Sequence, residues 1–143
     1  MPAMTSGRAR QCFAASRIAR LATADTDGHP HLVPVVFVLT GDHLAFAVDH
    51  KPKRTAELKR LANMRARPQV CLLVDAYDED WDRLWWARAD GTATVLPPAD
   101  ASAPAAHYVR LLAAKYPLQY AGRPPAGPVV EVAVTRWSGW HAT

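Results

Sequence analysis

Short runs in which hydrophobic and polar residues alternate, separated by turn residues, recur along the chain and indicate β-strands. Residues 18–23 alternate with a period of two, and the Asp27-Gly28 pair that follows predicts a hairpin turn into the β-branched run 32–39. Pro34 has no main-chain N–H to donate, so this second strand is expected at an edge or a bulge of the sheet. A turn over residues 40–43 and further strands are predicted at residues 44–48, 70–74, 84–96 (one strand or a bent pair, with Gly91 as a bulge) and 129–134.

Apolar residues at helical spacing predict three helices, over residues 6–15, 55–65 and 103–115. Ser6 can cap the first helix, and Leu58, Leu61 and Ala62 share one face of the second. The Pro- and Gly-rich segment 116–127 predicts a loop. The order α-β-β-β-α-β-β-α-β contains hairpins rather than a βαβ series, and no Gly-rich dinucleotide motif is present. The chain is therefore predicted to be mainly β, a β-barrel with flanking helices that forms a single domain over residues 1–143.

The composition is that of a globular protein, since 50% of the 143 residues are apolar and 21% are charged. The net charge of +4 favours an anionic partner. Cys12 and Cys71 are too few for a disulfide scaffold and are expected to be buried thiols of a reducing compartment. The sequence contains neither an apolar run of about 20 residues nor the pattern of a signal peptide, so we expect a cytoplasmic protein.

The basic surplus is concentrated after the strand predicted at residues 44–48. Seven basic residues and one acidic residue lie between positions 51 and 67, and the segment opens a helix. A helix N-terminus binds phosphate readily, because its N–H groups are unpaired and its dipole is positive there. Such a charge run can also be simply the solvated face of a helix. We favour a phosphate site because the charges meet at a strand-to-helix junction.

The hairpin sequence from Leu21 to Val35 resembles the opening hairpin of the flavin/deazaflavin oxidoreductase superfamily, the split β-barrel proteins related to pyridoxamine 5'-phosphate oxidase. The basic helix-opening segment, the strand at 70–75 and the segment Leu84–Gly91 follow in the family's order. Lys51-Pro52-Lys53 and the segment Asp78–Trp81 are similar to those of a subgroup described as probable coenzyme F420-dependent enzymes. The resemblance covers nearly the whole chain.

The resemblance implies a homodimer with two cofactor sites at the dimer interface. The cofactor ring would lie along the strand that holds His31, Val33, Pro34 and Val35, although Val-Pro-Val alone could equally be a core strand with an edge proline. The phosphate would contact Lys51, Lys53, Arg54 and Thr55. Trp86 and Arg88 would line the pocket or the interface, and a purely structural role for the tryptophans is the alternative.

The implied function is that of an F420-dependent oxidoreductase acting on a small organic substrate, since F420 carries a phosphate and an acidic tail that a basic groove can hold. An FMN-binding protein and a non-enzymatic carrier of F420 or haem are the alternatives. No nucleic-acid partner is expected, because the basic run is short and no recognised motif accompanies it. No metal site is expected either, since His29 and His31 stand at turn and rim positions.

Overall fold

The computed structural model describes residues 2–48 and 55–143, and for residues 55–58 it describes the backbone alone. Twelve helices and strands follow one another in the described part of the chain. They are α1 (Ser6–Ala14), β1 (Ala19–Ala24), β2 (Pro30–Val35), β3 (Val38–Thr40), β4 (His43–Ala47), α2 (Thr55–Ala66), β5 (Gln69–Ala76), a short 3-10 helix (Trp81–Arg83), β6 (Trp85–Leu96), α3 (Ala103–Lys115), α4 (Pro117–Tyr120) and β7 (Val129–His141).

The strands form one antiparallel sheet in the order β2-β1-β5-β6-β7-β4-β3. The two predicted tight turns are confirmed, and the glycine in each has a positive φ: +84° at Gly28, between β1 and β2, and +59° at Gly41, between β3 and β4. Pro34 lies on β2 at the edge of the sheet, as its missing N–H predicts.

The run 32–39, predicted as one strand, is divided between the two ends of the sheet. β2 ends at Val35 and β3 begins at Val38, with Val36 and Phe37 between them. Three Cα–Cα steps reach at most about 11 Å, so the first and last strands of the sheet must lie close together. The sheet therefore curls into a barrel, and the predicted mainly β fold with flanking helices is confirmed.

β6 is a single long strand, and its register against β7 shifts between Asp90 and Gly91, which confirms the predicted bulge. A Cβ atom on Gly91 would lie 2.5 Å from the carbonyl oxygen of Ala133, so only glycine fits at this close approach. β7 is longer than the predicted strand 129–134, because it pairs with β6 along its length as far as His141.

The barrel interior is filled by aliphatic and aromatic side chains that are almost completely buried, among them Phe13, Leu21, Phe37, Leu44 and Leu72. A second apolar cluster forms where α3 packs on the barrel, around Tyr108, Leu112, Tyr116, Tyr120 and Val129. No helix among the described residues is long and apolar enough to cross a membrane.

Several local expectations were wrong. Thr5 caps α1, since its Oγ1 accepts a hydrogen bond from the Arg8 N–H at 3.1 Å, and the expected cap Ser6 is the first helical residue. Of the residues expected on one face of α2, Leu61 is buried together with Met64, Ala62 is exposed, and the side chain of Leu58 lies outside the described residues. Part of the expected loop 116–127 forms α4, and Cys71 is only partly buried.

Candidate functional site

A cleft of about 480 Å³ opens along the free edge of β2, and we call it the edge cleft. Its apolar side is formed by Val33, Pro34 and Val35 of β2 and by Val36, which follows the strand. An edge strand presents main-chain N–H and C=O groups that no neighbouring strand pairs. The edge cleft therefore combines a flat apolar surface with main-chain hydrogen-bonding groups, which suits a planar heteroaromatic ligand.

The opposite side of the edge cleft is polar and comes from the helices. Tyr116, Gln119 and Tyr120 line it from the α3–α4 junction, and Arg60 lines it from α2. The rings of Tyr116 and Tyr120 meet edge to face with centroids 6.5 Å apart, and both residues are buried. The described residues that line the edge cleft include no carboxylate, so Arg60 gives this cavity a positive charge.

Tyr116 fixes the wall of the edge cleft to the link between β2 and β3. Its hydroxyl accepts a hydrogen bond from the Phe37 N–H at 3.1 Å and lies 2.9 Å from the Phe37 carbonyl and 2.8 Å from the Arg17 carbonyl. The hydroxyl has one proton and can donate to one of these carbonyls at a time. Burial raises the pKa of Tyr116, so the phenol stays neutral at physiological pH.

Lys115 strengthens the same junction from the end of α3. Its Nζ donates to the carbonyl oxygens of Ser16 and Phe37, both at 2.9 Å, and lies 4.0 Å from the centroid of the Phe37 ring. Burial and the nearby charge of Arg17 lower the pKa of Lys115 to about 8. Lys115 and Tyr116 thus connect the end of α3 to the segment that follows α1 and to the link between β2 and β3.

A second pocket, of about 360 Å³, lies on the outer face of β1, β2, β5 and β6, and we call it the outer-face pocket. Its lining combines Leu32, Leu73 and Cys71 with the charged residues Arg20, Asp75 and Arg88. Arg20 pairs with Asp75 at 3.4 Å, and Arg88 pairs with Asp90 at 3.1 Å. These charges are therefore largely neutralised by ion pairs within the chain. What this face leaves exposed to solvent is its apolar side chains.

The tryptophans divide between the barrel and its outer face. Trp85 packs against the core and Trp86 is 36% exposed, so the two side chains point to opposite faces of β6. Trp137 covers the core, because its ring contacts the Phe13 ring with centroids 5.3 Å apart and its Nε1 donates to Asp42 at 3.0 Å. Trp81 is largely exposed.

The structure brings together part of the predicted cofactor set. The edge cleft is lined by Val33, Pro34 and Val35, whereas Arg88 lines the outer-face pocket. Trp86 lies on the same strand as Arg88, two residues away, and its side chain shares the outer face. Within a single chain these two residues are thus separate from the edge cleft.

The other predicted contacts lie in different surroundings. His31 lies opposite Thr23 on β1, and within the described part of the chain neither the buried Nδ1 of His31 nor the buried Oγ1 of Thr23 has a hydrogen-bond partner. Thr55 is the first residue of α2, and its side chain is not described. The remaining members of the predicted phosphate site, Lys51, Lys53 and Arg54, lie outside the described residues.

Sequence reasoning missed Arg60, Tyr116 and Tyr120 as residues of the cleft. Arg60 was visible only as one charge in the basic run 51–67, and the two tyrosines stand in a segment that was predicted to be a loop. Nothing in the local sequence pattern shows that these segments meet at the edge of β2. The signal available from sequence was limited to a basic helix and aromatic residues at a helix end.

Asp25, Asp27 and His29 are close enough in the first hairpin turn to hold a metal ion, with ligand atoms within 4.8 Å of one another. The Asp25 carboxylate is already engaged, since it accepts hydrogen bonds from the Asp27 and His29 N–H groups, each at 2.9 Å. The hydrogen bond from the His29 N–H is the main cause of the lowered pKa of Asp25. These contacts explain the cluster as a turn-stabilising motif.

Comparisons with known proteins fit this geometry. A protein-family model described as pyridoxamine 5'-phosphate oxidase matches residues 6–141. None of the curated proteins matches the chain. Among solved structures, an FAD-binding protein from Mesorhizobium loti superposes with a TM-score of 0.70 at 21% identity, over 96% of this chain and 93% of that one.

Two further solved structures have the same fold with different ligands in their descriptions. A protein described as an F420 reductase matches with a TM-score of 0.65 at 20% identity, over 90% of this chain and 94% of its own. The haem storage protein HutZ from Vibrio cholerae matches with a TM-score of 0.68 at 13% identity, over 94% and 92%. At these identities the superpositions show the shared fold alone.

Proposed function

The chain belongs to the pyridoxamine 5'-phosphate oxidase family, and on that premise we propose that it is a coenzyme F420-dependent oxidoreductase. It transfers a hydride between reduced F420 and a small organic substrate. The observation that carries this proposal is the edge cleft, in which an apolar strand edge faces a cationic side chain. The F420 reductase with the same fold supports the choice of cofactor.

The residues of the edge cleft fit a planar anionic cofactor. The exposed Pro34 and the half-buried Val36 offer an apolar bed for a ring system, and the main-chain edge of β2 offers hydrogen bonds to its polar rim. Arg60 has a buried Nε without a hydrogen-bond partner among the described residues, which suits an anionic ligand. Thr55 is the first residue of the helix that carries Arg60, and the predicted phosphate residues Lys51, Lys53 and Arg54 precede it directly in the sequence.

When bound, F420 supplies the hydride chemistry itself, so the chain needs no nucleophile or catalytic triad. The protein contributes by holding the cofactor in one orientation against the β2 edge and by excluding water with the tyrosine wall. Tyr116 stays neutral and hydrogen-bonded to Phe37, so it acts as a rigid wall rather than as a proton donor. Arg60 balances negative charge in the cleft.

We further propose that two copies of the chain pair through the outer face of β1, β2, β5 and β6. Leu32 is 67% exposed there, Trp86 is 36% exposed, and Leu73 adjoins them. An exposed apolar patch with an aromatic residue is typical of a protein interface. Pairing through this face would let Trp86 and Arg88 contribute to a shared cofactor site as predicted from sequence.

An FMN-dependent protein is the second candidate, because the FAD-binding protein from Mesorhizobium loti shares the fold. FMN offers the same ring shape and a phosphate but no acidic tail. Protein that purifies yellow with bound FMN would favour this candidate. A non-enzymatic carrier of F420 or haem is a third candidate, in view of the haem storage protein, and binding without turnover of enones and quinones would favour it.

The proposal is tested by titrating the purified full-length chain into oxidised F420 and following the fluorescence of the deazaflavin. We expect saturable binding at micromolar or tighter dissociation constants, weakened by added salt because exposed charges are screened. Riboflavin, which lacks both phosphate and tail, should bind more weakly in the same assay. Absence of F420 binding, or equal affinity for riboflavin, would contradict the proposed cofactor.

A further inference from the structure

The short helix α4 presents an apolar surface to solvent beside the edge cleft. Leu118 is 97% exposed, more than any other large apolar side chain in the part of the chain that the structure describes. Its neighbours Pro117 and Ala121 are exposed as well. Ile18, which lines the edge cleft, is 45% exposed, and Gln119 of α4 lines the same cleft. Single exposed aliphatic residues are ordinary, but several that adjoin one another indicate a contact surface.

The two segments of the chain that meet at this surface carry positive charge alone. Residues 1–24 contain four arginines and no acidic residue, and residues 101–130 contain three basic residues and no acidic residue. The structure brings the two segments together, because Lys115 Nζ donates to the carbonyl oxygen of Ser16 at 2.9 Å. The apolar surface therefore has a basic rather than a mixed surround from its own chain.

The cations on either side of α4 are not neutralised by ion pairs. Arg17 lies 4.9 Å from the centroid of the Tyr116 ring, and Arg123 lies three residues beyond the end of α4. Both are exposed, and neither forms an ion pair with any side chain that the structure describes. Arg83, by contrast, pairs with Asp78 at 3.5 Å. Uncompensated positive charge is thus found next to the exposed leucine, in a region that we call the α4 rim (Arg17, Ile18, Leu118 and Arg123).

We propose that the α4 rim docks on an anionic membrane surface. Leu118 and Ile18 enter the boundary between headgroups and acyl chains, and the two arginines lie beside the lipid phosphates. A protein partner would have to offer a pocket for Leu118, whereas a bilayer accepts an aliphatic side chain without one and attracts nearby arginines electrostatically. Because the rim is small, the attachment is reversible. Ile18 and Gln119 line the edge cleft, so docking turns its mouth toward the lipid.

Docking is measured by co-sedimentation of the full chain, without cofactor, with vesicles of phosphatidylglycerol and phosphatidylcholine in equal parts. We expect saturable binding that falls when salt is added, because exposed charges are screened. Vesicles of pure phosphatidylcholine should bind much less protein. Equal binding to both kinds of vesicle, or no binding to either, would overturn the proposal. The assay contains no cofactor, so failure of F420 to bind would reject the proposed function alone.

Four variants test whether the α4 rim is the surface that docks. Leu118→Ser should weaken vesicle binding about tenfold, and Arg123→Gln about fivefold. The matched controls Trp81→Ser and Arg83→Gln remove an exposed apolar side chain and one positive charge from an acidic segment, and should bind as the wild type does.

Two outcomes with these variants would contradict membrane docking. If Arg123→Gln weakened binding and Leu118→Ser did not, the rim would be a site for polyanions rather than for a bilayer. If Leu118→Ser changed the molecular mass in light scattering, the rim would be a contact between copies of the chain. Either result would overturn the proposal, and circular dichroism checks that each variant is folded.

Discussion

The Tyr116 hydroxyl is predicted to be a major contributor to stability, because it forms hydrogen bonds with main-chain groups of Phe37, where the two ends of the sheet meet. Tyr116→Phe removes one oxygen atom and leaves the ring, with its contacts to Tyr120 and Arg17, in position. The Phe37 N–H is then buried without an acceptor, while the Phe37 carbonyl keeps the hydrogen bond from Lys115 at 2.9 Å. The change therefore isolates the loss of one hydroxyl group and leaves one buried donor unsatisfied.

A buried donor without a partner costs about 1–3 kcal/mol, so we expect Tyr116→Phe to lower the free energy of unfolding by about 2 kcal/mol. Unfolding entropies near 2.1 cal/mol/K per residue give about 0.3 kcal/mol/K for 143 residues, so the melting temperature should fall by about 7 °C. Urea unfolding followed by circular dichroism measures the first quantity, with an unchanged dependence on urea concentration.

Tyr77→Phe is the matched control for this experiment. Tyr77 is 68% exposed, and the loss of its hydroxyl should change the free energy of unfolding by less than about 0.5 kcal/mol. If Tyr116→Phe were as stable as Tyr77→Phe, the Tyr116 hydroxyl could not be the acceptor that the buried Phe37 N–H requires.

Three further predictions concern other parts of the fold. Burial lowers the pKa of Lys115 to about 8, so unfolding takes up a proton between about pH 8 and the ordinary lysine pKa. The unfolding free energy of the wild type relative to that of Lys115→Met should therefore rise from pH 7 to pH 9.5. A difference that stays constant over this range would contradict the prediction. Gly91→Ala forces a Cβ atom against a main-chain carbonyl of β7 and should cost about 1–3 kcal/mol, whereas Gly7→Ala, in a helix with open space around it, should be neutral or stabilising in the same urea experiment. Leu32→Asp should convert a dimer to a monomer in light scattering, whereas Leu118→Asp, at a position that is 97% exposed and away from the outer-face pocket, should not; a dimer that survives Leu32→Asp would exclude the proposed interface.

The fold could be predicted from sequence where local chemistry decides it. The hairpin at Gly28, the edge position of Pro34 and the bulge at Gly91 each follow from a restriction on one residue, and all three are present. The break in the run 32–39 could not be predicted in this way. Its β-branched and aromatic residues favour strands, whereas the main chain of Phe37 between the two sheet ends is held by the distant residues Lys115 and Tyr116 at the end of α3.

Less of the candidate site than of the fold could be predicted from sequence, because the site depends on contacts between residues that are distant in the sequence. The strand Val33–Val35 was predicted because its pattern and the family resemblance coincide. Three residues of the polar wall, Tyr116, Gln119 and Tyr120, lie more than 80 positions beyond Val35, and their proximity to the strand depends on the way α3 packs on the barrel. Trp86 and Arg88 lie on the outer face, so their predicted contact with the cofactor requires a second copy of the chain.

The most direct test of the account is a crystal structure of the full chain bound to oxidised F420. We expect the deazaflavin ring to lie along Val33–Val35, with an anionic group of the cofactor within hydrogen-bond distance of Arg60 or of the predicted phosphate residues. We also expect Trp86 and Arg88 of a second copy near the ring. A cofactor bound away from the edge cleft, or a cleft that stays empty at saturating F420, would contradict the account.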